Sequence, residues 1–154
     1  MDKQSQLFLD QYLSTLPSEE AQRYTTFSSS YFCADEHNAN VCADLVLRGE
    51  KRATCSNAYV YNQNLEPMPQ VGELLVVTKW DGEPVCIVEI TSVCKCKFGE
   101  VTAEFAAEEG EGDKTLESWR KSHWDFFSNE CREFGIEPDV DMILVLERFK
   151  VVYQ

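Results

Sequence analysis

Apolar residues recur at helical spacing near the start of the chain. This first stripe, over residues 5–16, consists of Leu7, Phe8, Tyr12 and Leu16. Pro17 then precedes Ser18 and two acidic residues, which indicates that a second helix begins with Ser18 as its N-cap. We therefore predict that residues 1–30 form an N-terminal helical extension, packed over the domain that follows.

Three further segments have the pattern of amphipathic helices. Residues 38–48 carry an apolar stripe, with Asn38 as a candidate N-cap and Gly49 suited to a left-handed position after the end. Thr102 can cap a short helix over 103–108. The longest helix is predicted over 116–134, capped by Thr115 or Asp113 and closed by Gly135.

Strand-type residues alternate with turn signals in the rest of the chain. Strands are predicted near 53–56, over 74–80, over 84–97 and over 142–153, with a turn-rich excursion from Asn57 to Gln70. Asp81-Gly82 is a strong signal for a hairpin between the second and third of these strands. Antiparallel strands with helices laid outside predict the α+β class, with residues 31–154 as one compact domain.

Composition and charge limit which binding partners the chain can have. A chain of 154 residues fits one domain. Its net charge of −13 argues against sequence-independent binding of long duplex nucleic acid, because neutralisation of phosphates by basic residues supplies most of the affinity in such binding. A local basic pocket for a nucleotide or a short single strand stays compatible with this charge. No signal peptide or membrane-length apolar segment is apparent, so we expect a cytoplasmic protein without a membrane partner.

The seven cysteines do not form a metal-binding pattern. No Cys-x-x-Cys pair occurs, and Cys94 and Cys96 could share a metal only with ligands from elsewhere in the chain. We interpret the cysteines as reduced, buried thiols and expect neither a metal nor a cofactor.

One segment places a lysine and a hydroxyl where a helix has just ended. Gly49-Glu50-Lys51-Arg52-Ala53-Thr54 fits Gly-x-Lys-x-x-Thr, and Gly72-Glu73 follows before a strand. An acidic loop, 108–113, then precedes Leu116, Trp119, Arg120 and His123. This ordered set, over about 38–153, resembles the ASCH domain, and the acidic loop resembles the longer bacterial ASCH proteins. The resemblance implies a PUA-like β-barrel with flanking helices and a role in RNA or nucleoside metabolism.

Within that family, the N4-acetylcytidine amidohydrolases use a lysine, a threonine and a glutamate. The motif matches Lys51 and Thr54 to the first two, and Glu109 is the best match for the third. These enzymes are smaller, lack the N-terminal extension and have a different acidic loop. Chemically, a desolvated lysine can act as a base, a threonine hydroxyl as a nucleophile, and a carboxylate as a proton shuttle to the leaving amine. Alternatively, Lys51 is a clamp for a phosphate or a carbonyl, and Thr54 has no chemical role.

Other side chains are candidates for ligand contact around this motif. They are Arg52, Ser56, Lys79, Trp80, Trp119, Arg120 and His123. An aromatic ring could stack on a base and an arginine could meet a phosphate, although a packed, hydrogen-bonded histidine is the favoured interpretation of His123. Three of the four acids of the 108–113 loop are expected to be solvated.

Three functions follow from these residues. The first in rank is binding of RNA or a small nucleoside or nucleotide in a pocket around Lys51, without catalysis. The second is hydrolysis of an acylated pyrimidine nucleoside such as N4-acetylcytidine, and the third is RNA cleavage. The oligomeric state is left open by the sequence.

Overall fold

A single five-stranded sheet forms the centre of the computed structural model, which describes residues 1–154. The strands are β1 (Phe27–Ser30), β2 (Ala53–Asn57), β3 (Leu74–Thr78), β4 (Pro84–Lys97) and β5 (Ile143–Tyr153). Their order in the sheet is β1-β3-β4-β5-β2, with β1 parallel to β3 and the other neighbours antiparallel. β1 and β2 therefore stand at the two ends of the strand order.

Six helices surround the sheet. They are α1 (Lys3–Thr15), α2 (Ser18–Ala21), α3 (Glu36–Leu47), α4 (Ala58–Asn64), α5 (Ala103–Glu109) and α6 (Leu116–Glu133). Thr102 caps α5 and Thr115 caps α6, each by accepting a hydrogen bond from a backbone N–H three residues later. These features confirm the predicted α+β class. No helix combines the length and apolar character that a membrane crossing requires.

The alternation of side chains along β3 separates two parts of the core. Leu74 and Val76 pack with Leu9 and Tyr12 of α1, whereas Val77 packs in a different cluster with residues of α3. Because successive side chains of a strand point to opposite faces, α1 and α3 cover opposite faces of the sheet. A third cluster holds α5 and α6 against β2 and β5.

Several boundaries differ from the sequence prediction. Residues 27–30, predicted as the end of the helical extension, form β1, because their backbone groups pair with β3. α3 begins earlier than predicted, since Asp35 is the N-cap and accepts the N–H of Asn38. A helix, α4, occupies part of the expected turn-rich excursion.

The cap of α4, the hairpin turn and the cysteines complete the comparison of the structure with the sequence prediction. Asn57 caps α4 through the N–H of Tyr59. The Asp81-Gly82 hairpin is confirmed, with Gly82 at φ +92°, but β3 ends at Thr78 rather than Trp80. All seven cysteines have free thiols, and Cys33 and Cys94 are exposed rather than buried.

Candidate functional site

The end of α3 directs Lys51 into the interior. Gly49 adopts a left-handed conformation (φ +75°), and the backbone N–H groups of Glu50 and Lys51 both return to the carbonyl of Leu45, at 2.9 and 3.0 Å. Glycine suits this position because it has no Cβ to disfavour a positive φ. As a result the Lys51 side chain is buried, with only 2% of the residue exposed.

The acidic loop docks against this turn through its backbone. Arg52 N–H donates to the carbonyl of Glu108 at 2.8 Å, and a Cβ placed on Gly110 would lie 2.2 Å from the carbonyl oxygen of Glu50. Gly110 has φ +69°. Only a glycine permits this close contact between the backbones of residues 110 and 50. The contact places Glu109 and Glu111, on either side of Gly110, near Lys51.

Glu111 and Phe32 are the immediate neighbours of the lysine head group. Lys51 Nζ lies 2.9 Å from Glu111 Oε1 and 5.3 Å from the centre of the Phe32 ring. Burial alone would lower the pKa of Lys51, but the charges of Glu109 and Glu111 outweigh it, and the pKa lies above its usual range. Lys51 is therefore an ammonium at neutral pH, which favours the clamp over the base.

Glu109 stands at the centre of a buried polar cluster. Its Oε2 accepts from Trp119 Nε1 at 3.0 Å and faces His123 Nε2 at 2.8 Å, while His123 Nδ1 lies 2.8 Å from the carbonyl oxygen of Trp119. The His123 ring also stacks on Trp119, with 4.3 Å between ring centres. Both ring nitrogens of His123 thus face acceptors, which suits a protonated imidazolium.

The protonation states of this cluster follow from competing effects. Burial would raise the pKa of Glu109, but Lys51 and His123 outweigh it and the net shift is downward. Burial would likewise lower the pKa of His123, but its hydrogen bond and charge interaction with Glu109 raise it above its ordinary value. Glu109 Oε1 is buried and has no hydrogen-bond partner, and the Cys55 thiol, within 4.8 Å of the carboxylate, also lowers the pKa of Glu109. The cluster is thus an ion pair with one free acceptor.

Two adjacent cavities open beside these residues. The first, of about 390 Å³, is lined by residues of α3, the acidic loop and α6, including Glu109, Glu111 and His123. The second, of about 490 Å³, extends toward α4 and the 66–70 loop. Both cavities are lined by Phe32, Cys33, Thr54 and Cys55. Thr54 therefore lies on the wall that the two cavities share.

The structure brings together part of the predicted site. Thr54, Glu109 and His123 line the first cavity, although they come from separate segments of the chain. Lys51 and Trp119 do not line it but contact Glu111 and Glu109, which do. Ser56 lines the second cavity, where its hydroxyl lies 2.8 Å from the hydroxyl of Tyr61.

Five predicted contact residues line neither cavity: Trp119, which packs against His123, and the four residues described next. The Arg52 side chain is exposed, and Lys79 Nζ pairs with Glu83 at 2.7 Å. Trp80 packs on Tyr31 with 4.7 Å between ring centres, and Arg120 lies within 3.4 Å of the carbonyl oxygen of Gly99. The basic residues are thus dispersed rather than gathered into one cleft.

The sequence interpretation also missed residues that the cavities contain. Three of the four loop acids were expected to be solvated, yet Glu111 pairs with Lys51 and Glu108 pairs with Arg148 at 2.6 Å. Glu109, the acid that was matched to the catalytic glutamate, is buried. Only the glycines that flank the acids at 110 and 112 marked this loop as something other than a solvated charge run. Phe32, Cys55 and Glu147 carried no local signal.

Glu147 is a buried acid on the wall of the second cavity. It lies on β5 opposite Thr54 of β2, and burial, with a smaller contribution from Glu73, raises its pKa to about 7. Because the folded pKa exceeds the ordinary value of 4.5, the folded chain holds this proton more tightly than the unfolded chain. The contribution of Glu147 to stability is therefore lost as pH rises from about 4.5 to 7.

We expect Glu147→Gln to raise the free energy of unfolding by about 2–3 kcal/mol at pH 8 and to leave it nearly unchanged at pH 4. Urea unfolding of both proteins across this range measures the difference. Glu66→Gln, at an exposed acid of the same cavity, is the control and should change stability by less than about 0.5 kcal/mol. A pH-independent effect of Glu147→Gln would contradict the assignment.

Comparison with known proteins identifies relatives of the whole chain. Residues 28–153 match the family model of the ASCH domain. An ASCH domain structure from Lactobacillus crispatus JV V101 is 63% identical, with a TM-score of 0.97 over 100% of this chain and 97% of that one. A protein of Enterococcus faecalis V583 is 26% identical, with a TM-score of 0.84 over 99% of this chain and 90% of that one. A search of curated proteins gives no match.

Proposed function

The chain belongs to the ASCH domain family, a family linked to RNA binding. From this premise we propose that it binds a nucleoside in the cavity beside Glu109. The nucleoside is either free or part of a short RNA. The base is held by its N–H groups, and the ligand is a single nucleoside or a short strand rather than a long duplex. The net charge of −13 supports this limit, because a long nucleic acid would meet repulsion outside the cavity.

The free oxygen of Glu109 is the observation that carries the proposal. Glu109 lines the first cavity, its Oε1 is buried and lacks a hydrogen-bond partner, and its Oε2 is fixed by Trp119 and His123. An unpaired acceptor of this kind costs about 1–3 kcal/mol, and a ligand N–H would recover that loss. The exocyclic amine or amide N–H of a pyrimidine base has the required donor.

The rest of the cavity suits such a base. Phe32 and Phe126 supply aromatic surface on its walls, and a volume of about 390 Å³ falls in the range of small-molecule sites. The Lys51 ammonium, paired with Glu111, provides a positive charge beside the cavity for a carbonyl oxygen or a phosphate. A ligand that engages Lys51 would first have to displace Glu111 or bridge to it.

Hydrolysis of an acylated amino group is the second candidate. It is favoured because Thr54 and Glu109 line one cavity and Lys51 pairs with Glu111, which lines the same cavity. In this mechanism the Thr54 hydroxyl attacks the acyl carbonyl, and the Lys51 ammonium stabilises the oxyanion that forms. The C–N bond then breaks as the leaving amine takes up the proton from Thr54, and water hydrolyses the acyl-threonine to release the acid. Because Lys51 is already protonated, the base for Thr54 would be a carboxylate of the same cavity.

We expect Glu109→Gln to weaken nucleoside binding at least about tenfold, since one charge-assisted hydrogen bond contributes about 1.5–3 kcal/mol. Isothermal titration calorimetry with cytidine, N4-acetylcytidine and short single-stranded RNAs at low salt measures this change. Glu108→Gln is the matched control, because Glu108 pairs with Arg148 outside the cavity and its replacement should leave affinity unchanged.

The same ligands distinguish binding from chemistry. Release of acetate from N4-acetylcytidine, abolished by Thr54→Val while binding persists, would establish hydrolysis. Cleaved RNA ends would instead establish a ribonuclease. If none of these ligands binds, or if Glu109→Gln binds them as well as the unaltered protein, the proposed function is wrong.

A further inference from the structure

Two cysteines that line the first cavity lie in contact with each other. Cys33 is exposed in the segment between β1 and α3, and Cys42 is buried on α3. Their sulfur atoms are 3.0 Å apart, about 1 Å more than the length of a disulfide bond. Neither thiol has a role in the proposed binding of a base, so the pair calls for a separate explanation.

We propose that Cys33 and Cys42 are a site of reversible oxidation, joined as a disulfide when the chain meets a hydroperoxide. Cys33 is the thiol that reacts first, because it is exposed and its partner is not. Cys42 is the resolving thiol. Its pKa is raised by the hydrogen bond with Cys33, by burial and by the charge of Glu111, which keeps it protonated until that second step.

The chemistry balances with hydrogen peroxide as the oxidant. The Cys33 thiolate attacks one peroxide oxygen, the O–O bond breaks, and Cys33 becomes a sulfenic acid with release of hydroxide, which takes up the thiol proton as water. The sulfur of Cys42 then attacks the sulfenic sulfur. Its proton passes to Glu111 Oε1, 3.1 Å away, and Glu111 then gives that proton to the departing sulfenic hydroxide, which leaves as a second water. Two thiols and one peroxide give one disulfide and two waters.

A metal ion is the competing explanation for this cluster. Cys33, Cys42 and Glu111 offer three ligand atoms within 4.8 Å of one another. However, two thiolates around tetrahedral zinc stand about 3.8 Å apart, given Zn–S bonds of about 2.3 Å, and these sulfurs are closer. The Lys51 ammonium also lies 2.9 Å from the Glu111 oxygen that would bind the metal. Both observations favour oxidation.

The disulfide would also alter the cavities. Cys33 and its neighbour Phe32 line both of them, so a bond to Cys42 would fasten that wall to α3. It would also remove the hydrogen bond from the Cys42 thiol to Glu111. This consequence rests on the proposed function: we expect ligand exchange to be slower in the oxidised protein.

Treatment of the reduced protein with hydrogen peroxide tests the oxidation site. We expect the free thiols, counted after denaturation, to fall from seven to five, the two lost being those that join. Peptide mapping should recover a Cys33–Cys42 cross-link, and a dithiol reductant should restore all seven thiols. Cys94→Ser is the control, because Cys94 is also exposed but lies on β4, and the cross-link should form unchanged.

Three outcomes would overturn the proposal. They are the absence of the cross-link, over-oxidation of Cys33 without it, and stoichiometric retention of zinc by the reduced protein after dialysis, which would assign the cluster to a metal. None of these measurements involves a nucleoside or RNA. Failure of the oxidation site and failure of the proposed function are therefore distinguishable.

Discussion

Replacement of Lys51 by alanine is expected to lower the free energy of unfolding by about 3–5 kcal/mol at pH 7. The variant leaves Glu109 and Glu111 in a largely buried site without the ammonium that both of them face. Desolvated carboxylates without a partner are among the most destabilising arrangements in a folded chain. Urea unfolding at pH 7 measures the loss.

Lys79→Ala is the matched control for this prediction. Lys79 also pairs with a glutamate, at 2.7 Å from Glu83, but both side chains are exposed to solvent. Such a pair contributes less than about 1 kcal/mol. Acid should also narrow the gap between Lys51→Ala and the unaltered protein, because protonation of the two glutamates removes the unpaired charge. Equal losses for the two lysine variants would show that the buried ion pair does not hold the acidic loop.

This expected instability affects the choice of functional probes. A loss of ligand binding in Lys51→Ala cannot be separated from local unfolding of the acidic loop that Lys51 holds. Glu109→Gln and Thr54→Val are better probes of binding and chemistry. Each of them preserves the volume of the side chain and the ion pair between Lys51 and Glu111. Binding by Lys51→Ala is interpretable only where unfolding shows the variant to be fully folded.

The elements that the sequence predicts well are those with local determinants. Thr102 and Thr115 cap their helices through neighbouring N–H groups, and the Asp81-Gly82 turn sets its own hairpin. β1 lacks such a determinant. Its four residues become a strand only because β3, whose partner residue to Phe27 is Leu74, offers a parallel edge. Pairing at that sequence distance leaves no periodicity in the segment itself.

The candidate site divides in the same way. The Gly-x-Lys-x-x-Thr spacing singled out Lys51 and Thr54, whose positions follow from the turn after α3. Glu111 was expected to be solvated because it sits in a run of acids, and its pairing with Lys51 requires the loop to fold back on that turn. Lys79 and Arg120 failed to join the cavity for the converse reason, since chemical suitability says nothing of proximity.

Gly110 is the residue on which that fold-back depends, and Gly110→Ala is expected to lower the free energy of unfolding by about 2–5 kcal/mol. An alanine at this position destabilises the folded protein by about 1–2 kcal/mol, because its Cβ disfavours the left-handed backbone conformation. The overlap adds about 1–3 kcal/mol more. The new Cβ would lie 2.2 Å from the carbonyl oxygen of Glu50 and 3.0 Å from the backbone nitrogen of Lys51, and backbone atoms cannot rotate away as a side chain can.

Gly49→Ala separates the overlap from the backbone conformation. Gly49 is also left-handed, at φ +75°, but a Cβ there meets nothing within 4 Å, so we expect a loss of about 1–2 kcal/mol. Thermal and urea unfolding of the two variants give the difference. Gly110→Ala should also weaken nucleoside binding. If the acidic loop shifts away from Glu50, Glu109 and Glu111 also shift away from Lys51. Equal losses for both glycine variants would mean that the loop can shift without strain, and that its contact with the lysine turn does not set the geometry of the cavity.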